Sequence, residues 1–240
     1  MSIFEGKTAA IVGGGTGMGK AIAESFSAQG GRVIVGGRRM SVLEEVQGDH
    51  VLRHSIDVAD RSSVNTFFDW AHSELGGHLD LLVIAAGINI KTRSMATMTP
   101  EQWDQVVAVN TTGAYNCMHA VLPKMRELKS GTIINISSVA GKRAIALGGV
   151  AYSSSKFAMT ALGTCVANEV APEGVRITNL YPGEVNTPIL DNRPTPVTEE
   201  HKQKILQPED VASLVLSIAS LPANVHVPEV VIKPLSQEWY

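Results

Sequence analysis

Short runs of apolar, largely β-branched residues alternate with longer stretches of helical period along all 240 residues. Seven such runs predict strands at Thr8 to Val12, Arg32 to Gly36, Val51 to Ile56, Leu79 to Ala85, Thr132 to Ile136, Arg176 to Leu180 and Val227 to Ile232. Between them, apolar positions three and four apart predict helices at Met18 to Gln29, Ser63 to Leu75, Pro100 to Leu128 with a break near Asn110, Ala151 to Val170, and Pro208 to Ser220. Such alternation is the pattern of repeated βαβ units, whose parallel strands need right-handed crossovers. The expected class is therefore α/β: a doubly wound parallel sheet of about seven strands with helices on both faces, in a single domain over 1–240. Ligands of such sheets bind beyond the carboxyl ends of the strands, where strand order reverses.

One segment resists assignment. Glu184 to Gln207 is polar and carries Pro188, Pro194 and Pro196. Stretches of this length without structure in compact domains are typically lids or disordered loops, and a substrate lid is expected at 184–207.

Composition narrows the function classes. Hydrophobic residues at 44% and charged residues at 18% support a well-formed core and argue against a disordered or fibrous chain. A net charge of -3 lacks the basic excess that a nucleic-acid binder uses against phosphates, so no nucleic acid is expected. The start, Met1 to Lys7, has no basic region followed by an apolar core, and no apolar run reaches the length of a bilayer span, so a cytoplasmic protein without a membrane partner is expected. Cys117 and Cys165 both fall in apolar helical stretches, outside any Cys-x-x-Cys pair, and are expected to be buried free thiols. The seven histidines lack metal-ligand spacing, so no metal is expected.

The chemistry begins directly after the first strand, in Val12-Gly13-Gly14-Gly15-Thr16-Gly17-Met18-Gly19. Glycines there allow a tight turn and close approach of backbone to pyrophosphate, while free N–H groups and the helix dipole attract the anion. The spacing, Gly-x-x-x-Gly-x-Gly, differs from the Gly-x-Gly-x-x-Gly fingerprint. The second strand ends in Gly36-Gly37-Arg38-Arg39, where an NAD-preferring protein carries an acid for the ribose 2′-hydroxyl. Two guanidinium groups instead match a 2′-phosphate, which favours NADP over NAD.

Tyr152 and Lys156, at i and i+4, share one helix face. A nearby ammonium favours phenolate and is expected to lower the tyrosine pKa toward working pH, making Tyr152 a usable acid or base. Alone, the pair is equally an ordinary amphipathic contact. Ser138 changes that balance: it ends the strand Thr132 to Ile136 plus Ser137, so its hydroxyl reaches the ligand-binding edge and can donate to a carbonyl oxygen on which charge develops.

With these residues in order the chain resembles the short-chain dehydrogenase/reductase family, in its compact single-domain, Rossmann-type branch. The likeness runs from Lys7 to Ile232 and includes the glycine turn, Asp57-Val58, Ala86-Gly87, Asn110, Ser138, Tyr152, Lys156, Pro182-Gly183 and Thr187. The resemblance implies a catalytic tetrad: Tyr152 exchanges a proton with the substrate oxygen, Ser138 polarises it, Lys156 lowers the tyrosine pKa and holds the nicotinamide ribose, and Asn110 anchors a water linking Lys156 to solvent. It implies cofactor contacts from Gly13, Gly15, Thr16, Gly17, Met18, Arg38 and Arg39. Asp57 and Val58 are implied at the adenine, Gly87 at the adenosine ribose beside Ala86, and Thr187 at the nicotinamide amide near Pro182, Gly183 and Val185. It further implies a homo-oligomer, tetramer or dimer, for which the two long helices offer self-complementary faces.

The chain departs from the family pattern at three places. Val12 replaces the usual Thr before the first glycine, and Ile84-Ala85-Ala86-Gly87 replaces Asn-Asn-Ala-Gly, so polar groups that bridge strands are expected to be missing on both sides, with little cost. The C-terminal segment Leu221 to Glu229 resembles a bacterial subgroup of broad-specificity reductases, including those acting on 3-hydroxy acids or hydroxy amino acids. Substrate contacts are expected from Ile88 to Arg93, Gly141 to Val150 and the lid, with Ile145, Leu147, Ile189 and Leu190 as an apolar wall and Arg93, Lys142, Arg143 or Glu184 as a polar end. Two further readings keep the same residues: a non-catalytic NADP(H)-binding regulator, and a redox-neutral epimerase.

Overall fold

A computed structural model describes residues 2–238; Met1, Trp239 and Tyr240 of the expected 1–240 unit lie outside the described residues. Seven strands, β1 (Thr8–Val12), β2 (Arg32–Gly37), β3 (Val51–Ser55), β4 (Leu81–Ile84), β5 (Gly131–Ile136), β6 (Val175–Pro182) and β7 (Glu229–Ile232), form one sheet in the order β3-β2-β1-β4-β5-β6-β7. Every neighbouring pair is parallel. The chain winds outward from β1 to β3, returns, and winds the other way from β4 to β7, so order reverses between β1 and β4.

The helices are α1 (Gly17–Ala28), α2 (Met40–Leu43), α3 (Arg61–Glu74), α4 (Pro100–Val107), α5 (Gly113–Leu128), α6 (Val150–Val170), α7 (Glu199–Lys202) and α8 (Pro208–Ala219). Because the strands are covered on both faces, they read as continuous apolar runs, and β1, β4 and β5 are buried throughout. One core packs Phe67 and Phe68 of α3, Val121 of α5 and Met159 of α6 against Val12, Ile84 and Ile133. The other packs Ile22 and Phe26 of α1 and Val211 and Val215 of α8 against Ile11, Val83 and Ile134. Burial at roughly 25 cal/mol per Å² of apolar surface on both faces is what holds a central parallel strand in place.

The predicted break near Asn110 is a π-helical turn, Ala108–Thr112, between α4 and α5, where the Gly113 N–H reaches back five residues to the Ala108 carbonyl. Thr99 and Gln102 form a reciprocal capping box that starts α4, with Pro100 at its first position.

Several expectations need correction. β4 is shorter than Leu79 to Ala85, and just beyond it the chain runs so close to Gly13, held at φ +81°, that a Cβ there would sit 2.5 Å from the Ala86 nitrogen. β6 runs to Pro182, further than Leu180, since β7 pairs with it at Pro182↔Ile232. α2 has no forewarning in sequence, being a single turn of Met40–Leu43 whose one buried residue is Leu43. The 184–207 segment is structured: it holds a 3₁₀ turn at Pro188–Asn192, α7, and a bridge from Val185 to Leu206. Cys117 is buried, and burial pushes its thiol up to about 12, whereas Cys165 is exposed because it lies on the outer side of α6.

Polar groups are missing on both sides of the β1–β4 pair, as expected, but one remains on β5. Val12 pairs with Ile84, both apolar and buried, but Ile84 also pairs with Asn135. The Asn135 amide nitrogen donates to the Met159 carbonyl (3.1 Å) and to Asn179 Oδ1 (3.0 Å), while its own Oδ1 is buried without a partner. The apolar replacement at 84 leaves an acceptor unmatched on β5, a more costly state than losing both partners.

Candidate active site

Two adjoining cavities open where strand order reverses. The larger, about 350 Å³, lies over the carboxyl ends of β1, β2 and β4. The glycine turn lines it with Gly13, Gly15, Thr16, Gly17 and Met18; Arg38, Arg39, Asp57, Val58, Ala86, Gly87, Tyr152, Lys156 and Thr187 are also in its lining. The smaller, about 130 Å³, is lined by Ser138, Tyr152, Ile145, Leu147, Ile189 and Leu190, with Arg93, Glu184, Arg193 and Gln237 among its polar residues. Tyr152, Met18, Ser137, Thr187 and Ile189 border both.

The larger cavity suits an anionic dinucleotide. Thr16 precedes α1 without any side-chain cap, so the first N–H groups of that helix are free toward the cavity. Gly17, at φ +51°, lies against Thr187: a Cβ there would be 2.9 Å from the threonine methyl, so any side chain would close the passage between the turn and the lid. Asp57 is the one acid in the lining, against Arg38 and Arg39, which are exposed and available to a phosphate.

Ser138 caps a 3₁₀ turn after β5, its Oγ accepting from the Ala140 N–H at 3.1 Å. The same hydroxyl lies close enough to the Tyr152 phenol to favour its ionised form. Burial pushes the Tyr152 phenol above its ordinary pKa, while the Ser138 hydroxyl and the charge of Arg93 pull it down. This corrects the expectation that Lys156 lowers it. Lys156 is buried, at 3% exposure, and its ammonium donates to the Ile136 carbonyl at 2.8 Å, with Met159 Sδ 3.5 Å away. Burial lowers the Lys156 pKa to about 7, and its nitrogen stands 5.8 Å from the Tyr152 ring centre, against the face of the residue rather than at the hydroxyl.

Asn110 is fully buried and borders neither cavity, but its Oδ1 and the Lys156 ammonium both lie beside Gly87, 3.5 and 3.4 Å from where a Cβ on that glycine would stand. Its Oδ1 accepts from the Ile88 N–H (2.8 Å), and its Nδ2 donates to the Ile88 carbonyl and to Ser155 Oγ, both at 3.0 Å. Ser155 in turn donates to the Tyr152 carbonyl. Asn110 thus ties the chain after β4 to the α6 turn that carries Tyr152. Ser137 spends its hydroxyl on the Lys156 carbonyl and Thr160, both at 3.2 Å, and so is no rival to Ser138.

Of the expected cofactor contacts, Pro182, Gly183 and Val185 border only the smaller cavity, because β6 runs two residues longer and carries them past the larger one. Of the expected polar end, Arg93 and Glu184 line the smaller cavity; Lys142 and Arg143 do not. Lys142 turns away to Glu229 (2.6 Å) and over the Tyr181 ring. Sequence reasoning missed Gln237; Asn89 and Arg193 fall within the segments expected to meet substrate but were not singled out. Arg193 had a signal in its place within the lid, whereas Gln237 reaches the cavity from the chain end by bonding the Glu184 N–H at 2.9 Å, a contact without local pattern.

Among the described residues no group of three His, Cys, Asp or Glu gathers as a metal site, and no helix is long and apolar enough to cross a membrane.

Comparison with known proteins agrees with this arrangement. The family model for short chain dehydrogenase matches residues 7–197. An uncharacterized oxidoreductase of Staphylococcus aureus (strain MW2) is 30% identical over 239 residues, covering 98% of this chain and 100% of the relative. Serine dehydrogenase complexed with NADP+, in a closed form, superposes with a TM-score of 0.89 at 28% identity, covering 97% of this chain and 96% of that one. An alcohol dehydrogenase from the archaeon Thermococcus sibiricus, complexed with 5-hydroxy-NADP, superposes with a TM-score of 0.87 at 28% identity, covering 98% and 99%.

Proposed function

The chain belongs to the short chain dehydrogenase family and is an oxidoreductase of that kind, and from this premise we propose that it moves a hydride between NADP(H) and a small carbonyl or secondary alcohol, 3-oxo and 3-hydroxy acids included. The observation that carries the reading is that Ser138 and Tyr152 line the same small cavity, with Tyr152 at its junction with a dinucleotide-sized one. The NADP complexes of the similar structures, with Arg38 and Arg39 in the lining of the larger cavity, support NADP as the cofactor.

In the proposed mechanism Gly13, Gly15, Thr16, Gly17 and Met18 hold the pyrophosphate, and Arg38 and Arg39 the 2′-phosphate. Asp57 and Val58 would hold the adenine, Ala86 and Gly87 the adenosine ribose, and Thr187 the carboxamide. When bound, the cofactor supplies or accepts the hydride. The substrate carbonyl oxygen sits between the Ser138 and Tyr152 hydroxyls. As the C=O π bond opens, that oxygen takes the Tyr152 proton, and the phenolate is stabilised by Ser138 and by the cation at Arg93. Lys156, near neutrality in its titration, is suited to pass a proton inward and to hold the ribose once its ammonium turns from Ile136. Asn110 keeps the Tyr152 turn in register. In the oxidative direction each transfer reverses.

The protein is further proposed to be cytoplasmic and a homo-oligomer, tetramer or dimer, since Tyr115 of α5 and Phe157 of α6 are both 42% exposed on the long helices. Light scattering after gel filtration reads that state. The function is tested by NADPH and NADH oxidation with ketones, aldehydes, 3-oxo acids and sugars. Turnover that disappears in Tyr152→Phe while NADPH binding persists supports it. Undiminished turnover in that variant, or no turnover across the whole panel, overturns it.

A further inference from the structure

The smaller cavity holds more positive charge than its own acids balance. Arg93 lies in the chain after β4, and Arg193 closes the 3₁₀ turn of the lid; both line the cavity with Tyr152 and Ser138. Arg193 meets Glu184 at 3.3 Å, but that same carboxylate oxygen is 2.6 Å from His201, so one acid is shared between two bases.

Arg93 has no carboxylate partner among the described residues. Its Nε donates to the Ile90 carbonyl (2.9 Å), one terminal nitrogen to the Leu147 carbonyl and the other to the Asn192 carbonyl (2.8 Å). A guanidinium carries five N–H donors, so these three bonds leave two. The three carbonyls belong to the segment after β4, to the loop before α6 and to the lid, which fixes the cation at the cavity wall instead of letting it swing into water.

Partial burial lowers the Arg93 pKa, and the charge of Arg193 lowers it further. Two guanidinium groups therefore repel each other beside one small cavity. A half-buried cation satisfied only by neutral carbonyls is costly unless an anion arrives, and Arg is the side chain whose fork fits a carboxylate.

We propose that the substrate carries a carboxylate, received by Arg93 and Arg193, while its carbonyl or alcohol oxygen lies at Ser138 and Tyr152. The inference rests on the reductase reading and deepens it: the natural substrate pair is a small oxo acid and its hydroxy acid. Ile145, Leu147, Ile189 and Leu190 line the space between with an apolar wall that suits a short carbon chain. A volume of about 130 Å³ limits that chain to a few carbons. The reaction balances as oxo acid plus NADPH plus a proton giving hydroxy acid plus NADP+. The carboxylate keeps its charge throughout.

The test compares short 3-oxo acids with their methyl esters, which share the carbon chain and the reacting ketone. In the unmodified protein kcat/KM is expected to favour each acid over its ester by tenfold or more. Arg193→Gln should lower the acid's value at least tenfold and leave the ester within about twofold. Arg93→Lys, which keeps the charge beside Tyr152 but loses the fork, should lower the acid's value more than the ester's; melting temperatures of both variants check that the loops still close.

Esters turned over as well as acids by the unmodified protein, or an Arg193→Gln variant that slows acid and ester equally, overturn the anion site while leaving the reductase reading intact. Should no substrate turn over, calorimetric titration of the same acids and esters, with NADP+ present, decides. Acid binding that Arg193→Gln abolishes, with no ester binding, upholds the anion site although the reductase reading has failed. No binding of any acid overturns it.

Discussion

Lys156→Met in the cofactor-free protein should change both the stability and its pH dependence. Lys156 is 3% exposed and burial lowers its pKa to about 7, whereas in the unfolded chain it titrates near its ordinary value of about 10.4. Between those values the folded state binds fewer protons than the unfolded one, so this residue makes stability rise with pH from about 7 to about 10.4. Its full stability contribution is present above the unfolded value and is lost as pH falls toward the folded one. At pH 7 that loss is about 4 kcal/mol, and at pH 9 about 2 kcal/mol. Methionine keeps the apolar stem, removes the titration and leaves the Ile136 carbonyl without its 2.8 Å donor, a cost of about 1–3 kcal/mol. The variant should therefore be more stable than the parent by about 1–3 kcal/mol at pH 7, with the advantage shrinking by about 2 kcal/mol at pH 9. Urea unfolding of both proteins at the two pH values, followed by tryptophan fluorescence, measures this directly, and the difference between the proteins cancels titrations they share. A difference that does not change with pH would refute the reasoning, because it would mean that Lys156 titrates alike folded and unfolded. On the proposed function the same variant should lose turnover while gaining stability.

Gly13→Ala places a Cβ 2.5 Å from the Ala86 nitrogen at φ +81°, and should lower stability by about 2 kcal/mol or more and weaken NADPH binding; thermal unfolding and fluorescence titration read the two effects. Arg38→Ala should weaken NADPH binding about tenfold or more and leave NADH binding within about twofold, as expected for loss of a charge-assisted contact worth about 1.5–3 kcal/mol, and equal losses for both cofactors would contradict the 2′-phosphate assignment. Ile84→Asn, which brings an amide donor beside the unmatched Asn135 Oδ1, should destabilise at least about 1 kcal/mol less than Ile133→Asn on the same sheet face. Denaturant midpoints of the two variants decide that comparison.

The fold was legible because parallel strands covered on both faces must be apolar throughout, so β1, β2 and β5 stand out as runs whose limits lie within about a residue of those observed. The lid was not, since Pro188–Asn192 and α7 are short turns held by Val185↔Leu206 pairing and by side-chain bonds such as His201 to Glu184. The glycine turn, Arg38 and Arg39 could be assigned to one cavity from their positions at strand ends alone. The roles of Asn110 and Lys156 could not, because each depends on a partner distant in sequence: Ile88 lies 22 residues from Asn110, and Ile136 lies 20 from Lys156.

By itself the amino-acid sequence determined the order of the strands and the longer helices, the phosphate-compatible turn and the residue types able to move a proton, since these follow from local periodicity and side-chain chemistry. Tertiary structure alone decided which charges meet. It turned Lys142 away to Glu229, held Arg93 at the cavity wall with carbonyls from three separate segments, and drew Arg193 and Gln237 to the same small space. The physical reason is that burial and field depend on distances through space, and a sequence states only distances along the chain.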